Sequence, residues 1–424
     1  MTPSGRWLTR WYSPLLVGIA ALVGALAFVF GLLGANGLRP PAPPPCPRWA
    51  VVNAPAFGLP AGPDGSYRGE EGFETLVFDG QLYVGMEADN TLGARLWRTR
   101  GGVTLPWGQR DWEEVIADPR GLPFGIPDLA QNDHVDSLGT MGGWLYVSTA
   151  NRSGNRRGFR LFRSPTGNPG SWEPADAAQG PGFGDPANEN FKSMTVFDGQ
   201  LCGGTWNETV GGAVWCSRDG LHWERKSPPG FGGARVAIVW SLMAHDGYLY
   251  AGGQSLSDPD DPRDDRAFLF RTASLEGMPS WETVLWGKKG SGRALLLGAL
   301  NGDLFASTRS PGGIQIWRSS GGAEGSWRPA GAPGMNRNPR NADTIVDGAA
   351  VYGGALYVAV FNPSGVEVWR TTTGRVDGWE LAAPPGLDDY RTFAAVLTVF
   401  DGRLYAWTSN YVLGQSVLRA ECGE

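Results

Sequence analysis

The chain has 424 residues and a formal net charge of −6, and its charges are spread along the sequence without a Lys/Arg block. This distribution argues against nucleic-acid binding. Charged residues make up only 18%, whereas Gly (64), Pro (32) and Trp (19) are frequent, a composition typical of many short strands joined by tight turns rather than of helices.

The first distinctive segment is residues 15–34, twenty residues without a charge and enough to cross a bilayer as a helix. Arg6 and Arg10 precede this run and Arg39 follows it, a slight bias that favours the N-terminus inside and the remaining chain outside. A cleaved signal peptide is the alternative, with Ala25-Leu26-Ala27 as its cleavage motif. Cleavage there would leave an apolar new N-terminus, so a retained anchor is the favoured interpretation.

The expected organisation therefore has four parts. We predict a cytoplasmic N-terminus (1–14), a transmembrane anchor (15–36), a Pro-rich spacer (37–48) and one repeat domain (49–424). The spacer contains RPPAPPPCP, which favours a stiff polyproline conformation. The expected location is the cell membrane, with a single pass and the domain on the extracytoplasmic side.

Seven copies of one hairpin pattern follow the spacer, each with an apolar run, a two-residue turn and a strand such as LYVG. Turns of these types need positive φ at both central residues, which Asp-Gly, Asn-Gly and Gly-Gly supply. The spacings run from 48 to 63 residues. The turns are Asp79-Gly80, Gly142-Gly143, Asp198-Gly199, Asp246-Gly247, Asn301-Gly302, Gly353-Gly354 and Asp401-Gly402.

Each repeat continues with a third strand and, in six repeats, a fourth that begins at Trp. Four antiparallel strands at this period are typical of one propeller blade. The sequence therefore predicts an all-β, seven-bladed β-propeller of four-stranded antiparallel blades. The third strands are expected at 95–99, 160–164, 213–217, 268–272, 315–319, 367–371 and 416–420, and the fourth at Trp112, Trp172, Trp223, Trp281, Trp327 and Trp379.

The seventh repeat lacks a fourth strand, because the chain stops four residues after its third. Residues 49–52 (WAVV) resemble the start of a fourth strand, and we expect them to complete the last blade and close the ring. Closure would remove two unpaired strand edges.

The four cysteines fit this closure. Cys46 precedes the closing strand and Cys422 follows its expected neighbour, while Cys202 and Cys216 lie on adjacent strands of the third repeat. We expect two disulfides, Cys46–Cys422 and Cys202–Cys216, as is usual outside the cytoplasm. Four free buried thiols are the alternative.

A hairpin in the third repeat resembles a degenerate Asp box, the Ser-x-Asp-x-Gly-x-x-Trp turn of sialidases and related propellers. It reads Ser217-Arg218-Asp219-Gly220-Leu221-His222-Trp223 and departs from the pattern by placing Asp and Gly side by side. Other repeats keep only Ser or Thr and the Trp. This resemblance implies a propeller fold and indicates no specific family, because Asp boxes occur in enzymes and binding proteins alike and lie away from the ligand face.

A sialidase would need an arginine triad. The arginines here recur at one position of the third strand, at Arg98, Arg163, Arg271, Arg318, Arg370 and Arg419. Such recurrence favours a structural role, such as bonding between blades.

Propeller ligands usually bind the face that carries the loops between blades. The candidate contacts on this ligand face are Asn188, Asn190, Asn207, Arg337, Asn341, Tyr390, Arg391 and Asn410. The favoured alternative is that the Asn side chains simply form turns.

His134 is the one histidine expected on that face, and Asp136 and Glu74 lie near the channel mouth. These three residues are weak candidates for general acid–base catalysis. No second His or Cys at ligand spacing accompanies His134, so we predict no zinc site.

An acidic insertion lies at residues 256–265, with five aspartates between 258 and 265. Carboxylates could bind Ca²⁺, but the spacing is not that of a calcium loop, and a solvated excursion is favoured. No cofactor is predicted.

Two functions remain open. The first is a membrane-anchored binding or assembly module for a protein or glycan partner, which fits the absence of catalytic spacing. The second is an extracytoplasmic hydrolase or lyase with its site in the funnel. An enzyme is the less favoured of the two.

Overall fold

Positive φ at both central residues defines the seven predicted hairpin turns. In the computed structural model every one of the fourteen turn residues has positive φ, from Asp79 (49°) and Gly80 (70°) to Asp401 (46°) and Gly402 (65°). This geometry matches the right-handed twist of the strands that each turn joins. The structure describes residues 46, 48–59, 71–87, 94–101, 108–116, 134–151, 158–232, 235–256 and 265–422.

The described residues form short strands joined by loops. The strands are β1 (Arg48–Val51), β2 (Gly72–Phe78), β3 (Gln81–Glu87), β4 (Ala94–Thr99), β5 (Trp112–Glu114), β6 (Val135–Met141), β7 (Trp144–Thr149), β8 (Arg160–Ser164), β9 (Glu173–Pro174), β10 (Asn190–Phe197), β11 (Gln200–Trp206), β12 (Val214–Ser217), β13 (Glu224–Arg225), β14 (Val236–His245), β15 (Tyr248–Ser255), β16 (Ala267–Thr272), β17 (Glu282–Trp286), β18 (Leu295–Leu300), β19 (Asp303–Ser310), β20 (Gly313–Ser319), β21 (Arg328–Pro329), β22 (Ala349–Tyr352), β23 (Ala355–Val360), β24 (Glu367–Thr371), β25 (Trp379–Leu381), β26 (Ala394–Phe400), β27 (Arg403–Ser409) and β28 (Val417–Glu421).

Among the described residues, helical structure is limited to single turns in the loops. These turns are Pro55–Gly58, Gln109–Asp111, Pro181–Gly184, Pro229–Gly232, Gly334–Arg337 and Pro385–Asp388. Within the described ranges no helix is both long and apolar enough to span a bilayer. The predicted anchor at 15–36 lies outside these ranges, as do residues 1–14 and all of the spacer except Cys46 and Arg48.

The strands pair into antiparallel groups of four, which we call units 1 to 7. Units 1 to 6 are β2–β5, β6–β9, β10–β13, β14–β17, β18–β21 and β22–β25, and unit 7 is β26, β27, β28 and β1. Units 3 and 4 are joined into one eight-stranded sheet by a single pairing, Trp206 with Ile238. The protein is therefore all-β and built from repeated four-stranded units.

The first strands of successive units lie side by side. β2 contacts β6, β6 contacts β10, and the series continues through β14, β18, β22 and β26. β26 contacts β2 in turn. Buried apolar side chains fill the space between neighbouring sheets, for example Tyr357 and Val368 of unit 6 against Leu404 and Leu418 of unit 7.

Unit 7 joins the two ends of the described chain. β1 pairs with β28 from Arg48↔Glu421 to Val51↔Leu418, one residue earlier than the predicted span 49–52. Both predicted disulfides, Cys46–Cys422 and Cys202–Cys216, are confirmed, and the described residues include no free cysteine.

A belt of tryptophans ties the outer strands together. In five units a Trp stands at the start of the fourth strand, and its indole N–H donates a hydrogen bond to the preceding unit. The acceptor is the backbone carbonyl of the residue directly after that unit's own fourth strand. The pairs are Trp112–Val52 (2.8 Å), Trp172–Val115 (2.8 Å), Trp223–Ala175 (3.2 Å), Trp281–Lys226 (2.8 Å) and Trp379–Ala330 (2.6 Å). In unit 7 the backbone N–H of Cys46 takes this place and donates to Ala382 O at 3.3 Å.

The recurring arginines bond between units at the hairpin end of the third strand. Arg98 donates to Glu113 of its own fourth strand (2.8 Å) and to Thr166 O of the next unit (3.1 Å). Arg163 reaches Asp219 O and Arg271 reaches Gly321 O in the same way. These contacts are the structural role expected from the recurrence.

The hairpins that those arginines reach share a serine or threonine cap. Ser217 Oγ accepts the Gly220 N–H at 2.8 Å, and Asp219 accepts the N–H groups of Leu221 and His222. The same hydroxyl–glycine bond occurs at Ser164–Gly167, Ser319–Gly322 and Thr371–Gly374. A glycine three residues after the hydroxyl is therefore a recurring feature of these hairpins.

The Trp belt can be tested with two matched tryptophans. Trp223 and Trp327 are both buried, but within the described chain only the indole of Trp223 has a hydrogen-bond partner. Trp223→Phe leaves the Ala175 carbonyl unpaired and should cost about 1–2 kcal/mol more than Trp327→Phe. Urea unfolding midpoints at unchanged slope measure the difference; equal costs would show that the indole bonds do not stabilise the fold.

Candidate functional site

The ligand-face asparagines form turns. Asn207 donates to Asp185 Oδ2 (3.0 Å) and Asn188 Oδ1 (2.9 Å), and its own Oδ1 accepts the N–H groups of Thr209 and Val210. Asn188, Asn341 and Asn410 are also buried and bonded within their loops. Since these amides are used locally, the structure places them in the loop framework rather than on an open funnel.

The remaining ligand-face candidates are scattered. Tyr390 is 71% exposed at the rim, and Arg337 is exposed as well. Arg391 is held by Asp389 of its own loop at 2.8 Å. Asn190 is fully buried, and neither atom of its amide has a hydrogen-bond partner among the described residues.

The three weak catalytic candidates do come together, with a lysine that the sequence analysis missed. His134 (2% exposed) precedes β6, Asp136 (1%) lies on it, Glu74 (3%) lies on β2 and Lys192 (7%) lies on β10. His134 Nε2 is 3.4 Å from Asp136 Oδ1, which also accepts a hydrogen bond from Lys192 Nζ. Asp136 Oδ2 accepts the Phe191 N–H at 3.1 Å. Asp136 is thus the hub that joins units 2 and 3.

The charge on Asp136 is stabilised by these partners. Burial favours its neutral form, but the charge of Lys192 and the hydrogen bond of His134 outweigh burial and lower the pKa of the carboxyl. An ionised Asp136 with two cationic or hydrogen-bonding neighbours holds the inner strands together, and it has little access to a substrate because it is buried.

Glu74 behaves in the opposite way. Burial raises its pKa well above the ordinary value, and the charge and hydrogen bond of the Asp347 carboxyl raise it further, while Lys192 partly opposes the change. Asp347 precedes β22 with φ 55°, is exposed, and accepts the Leu397 N–H through its carbonyl. Glu74 and Asp347 therefore form a carboxyl pair in which a proton is favoured.

A second group of side chains lies next to Lys192 around Trp240, which is half-buried on β14. Lys192 Nζ lies 5.2 Å and the Arg293 guanidinium carbon 4.5 Å from the centre of the Trp240 rings. Trp206 lies 5.7 Å away, tilted by 50°. Cations over an indole face are attracted by its quadrupole. We call Lys192, Trp206, Trp240 and Arg293 the mouth cluster.

Asp343 holds the arginines of this region. It accepts from Arg293 Nε at 3.1 Å and from Arg309 Nε at 2.7 Å. Arg293 also donates Nη2 to Thr344 O at 2.7 Å. Burial opposes ionisation of Asp343, but the two arginines outweigh it and lower its pKa. The mouth cluster is thus positioned by buried carboxylates from units 2 and 6.

In the part of the chain that the structure describes, no group of three His, Cys, Asp or Glu side chains is placed to bind a metal ion. Four of the five aspartates of the acidic insertion lie outside that part. The fifth, Asp265, is buried and accepts a hydrogen bond from Gln254 at 2.9 Å.

Comparison with known proteins identifies no family. No family model matches the chain, and no curated protein matches it. Among solved structures, a puromycin-hydrolyzing peptidase from Mycobacterium tuberculosis has a TM-score of 0.50 at 12% identity, over 89% of this chain and 55% of that chain.

Two further structures are less similar. Trypanosoma rangeli sialidase has a TM-score of 0.43 at 12% identity, over 88% of this chain and 58% of that one. A luciferin-regenerating enzyme has a TM-score of 0.43 at 10% identity, over 84% and 91%. The chain spans little more than half the length of the peptidase and the sialidase. At 12% identity and a TM-score of 0.50, the peptidase structure shows a likeness of fold alone.

Glu74 predicts a specific pH dependence of stability. Because its pKa is raised on folding, the folded chain holds the proton more tightly, so its contribution is intact below pH about 4.5 and is lost as pH rises through the folded pKa. Glu74→Gln should therefore raise the melting temperature more at pH 8 than at pH 5. Thermal melts across that range, with exposed Glu276→Gln as control, test this; identical shifts for both variants at all pH values would contradict it.

Proposed function

We propose that the chain is a seven-bladed β-propeller, held at the outer face of a membrane by its N-terminal segment, that binds a glycan at the mouth of its central channel. Seven four-stranded units, seven hairpin turns and the ordered contacts from β2 round to β26 and back to β2 support the blade count. Each unit then corresponds to one blade, and β1 completes the seventh.

The extracytoplasmic location rests on chemistry and sequence. Two disulfides are expected in an oxidising compartment, and residues 15–36 have the length and apolarity of a membrane anchor. β1 begins at the hairpin-turn end of unit 7, beside the end of β28. Lys192 and Arg293 of the mouth cluster lie near the starts of β10 and β18, at the other end of their units.

The observation that carries the binding proposal is the spare donor capacity around Trp240. Lys192 has three N–H donors, of which Asp136 takes one. Within the described chain Arg293 uses Nε and Nη2 in hydrogen bonds and leaves Nη1 without one. These donors converge on an aromatic platform, and binding sites typically combine aromatic walls with a few convergent polar groups.

A glycan fits this surface better than an apolar ligand. Its hydroxyls accept from Lys192 and Arg293 and can donate to the exposed Asp347 carboxyl, while a sugar face can lie on Trp206 or Trp240. A protein partner is the other outcome of the test below.

The second candidate is a hydrolase, which the Glu74–Asp347 pair favours, since a protonated carboxyl beside a second carboxyl is suited to proton transfer. Two features weaken it. His134 and Asp136 are buried and mutually bonded. A hydrogen-bonded pair is also closer than the about 5–5.5 Å or 6.5–9.5 Å that separates the carboxyls of retaining and inverting glycosidases.

Binding to immobilised glycans tests the proposal. Trp240→Ala should weaken binding roughly tenfold or more, the size of effect typical of a central aromatic contact. Trp286→Ala is the matched control, because Trp286 is 62% exposed on an outer strand away from the mouth. Equal binding by both variants, with unchanged melting temperatures, would refute the mouth as the binding site. Binding of proteins but not of glycans would show that the ligand is a protein.

A further inference from the structure

A titratable pair, buried Glu74 and exposed Asp347, lies beside Lys192 of the mouth cluster. Glu74 projects from β2 and Asp347 precedes β22, so the two carboxyls come from units 1 and 6 and meet at the channel. The Asp347 backbone is in the left-handed region, which Asp tolerates better than most residues. Left-handed backbone at a polar centre is a reason to look for function there.

We infer that the glycan bound at the mouth is acidic, a sugar carrying a carboxylate, and that the proton shared by Glu74 and Asp347 sets its affinity. This inference rests on the proposed glycan-binding function. It adds the ligand's charge and a proton-linked control of binding.

The negative charge of the ligand is inferred from the hydrogen-bond donors that Lys192 and Arg293 do not use within the protein. Lys192 and Arg293 carry donors and no acceptors, and their charged groups lie 5.2 Å and 4.5 Å from the centre of the Trp240 rings. Lys192 is almost fully buried, where a charge-assisted bond to a carboxylate is stronger than one to a hydroxyl. A planar carboxylate also matches the fork of an arginine.

The proton's effect follows from the charges around Glu74. The groups that act on it are Asp347, Lys192 and Asp136, and His134 contacts Asp136. When Glu74 is protonated, a negative charge is removed from the neighbourhood of Lys192 and an anion is bound more tightly. When it ionises, the added charge opposes the ligand's carboxylate. Affinity should therefore fall as pH rises through the folded-state pKa of Glu74.

The test compares an oligosaccharide of hexuronic acids with its carboxyl-reduced, neutral counterpart, using the full chain in detergent and calorimetric titration between pH 5.5 and 8.5. The acidic probe should bind roughly tenfold more weakly at the upper pH, the effect of one charge a few ångströms away in a partly wet site. The neutral probe should show no such trend. Glu74→Gln and Asp347→Asn should each flatten the profile of the acidic probe, whereas exposed Glu276→Gln should leave it unchanged.

Each of the other possible outcomes would refute one part of the proposal. A pH trend that persists in both Glu74→Gln and Asp347→Asn would assign it to His134 and refute the carboxyl pair. Equal binding of the acidic and neutral probes would refute the acidic ligand while leaving glycan binding intact. No binding of either probe at any pH would refute the proposed function as well.

Discussion

β1 and β28 come from opposite ends of the described chain, and their pairing over four residues, with the Cys46–Cys422 disulfide beside it, holds the repeated units in order. Val52, directly after β1, accepts the Trp112 indole of unit 1. The same short segment therefore completes unit 7 and anchors unit 1. Without it, β28 would have an unpaired edge and the Trp112 indole would lose its acceptor.

Local chemistry explains why much of this fold could be predicted from the sequence. Asp-Gly and Gly-Gly pairs fix the hairpins, because few other residues adopt positive φ at both positions. Two of the third strands, Arg160–Ser164 and Glu367–Thr371, lie where the repeat pattern places them. The cysteine pairs followed from the same repeat register. The Trp belt could not be predicted, since it depends on which carbonyl of the preceding unit faces each indole.

The site was harder to predict because its members come from separate repeats. His134, Asp136 and Glu74 were chosen as titratable residues near a channel mouth, and they meet because their inner strands lie side by side. The sequence did not point to Lys192, Trp240 and Arg293, because none of them occupies a recurring position of the repeat or belongs to a motif. Register shifts between Lys192 and Thr195 and between Val239 and Ser241 also alter which side chains lie on each face of their sheets. The loop asparagine Asn207 completes a turn with its side chain, which is the interpretation that the sequence favours for these residues.

The mouth cluster depends on closure by the N-terminal segment, because its side chains come from units 3, 4 and 5 and its supporting carboxylates from units 2 and 6. These units must stay in order for the cluster to form. Urea unfolding, followed by tryptophan fluorescence, should be compared for a chain that begins at residue 46 and one that begins at residue 53. We expect a single cooperative transition for the chain that begins at residue 46, and a lower midpoint with a broadened transition for the chain that begins at residue 53. Identical midpoints and slopes would contradict this expectation.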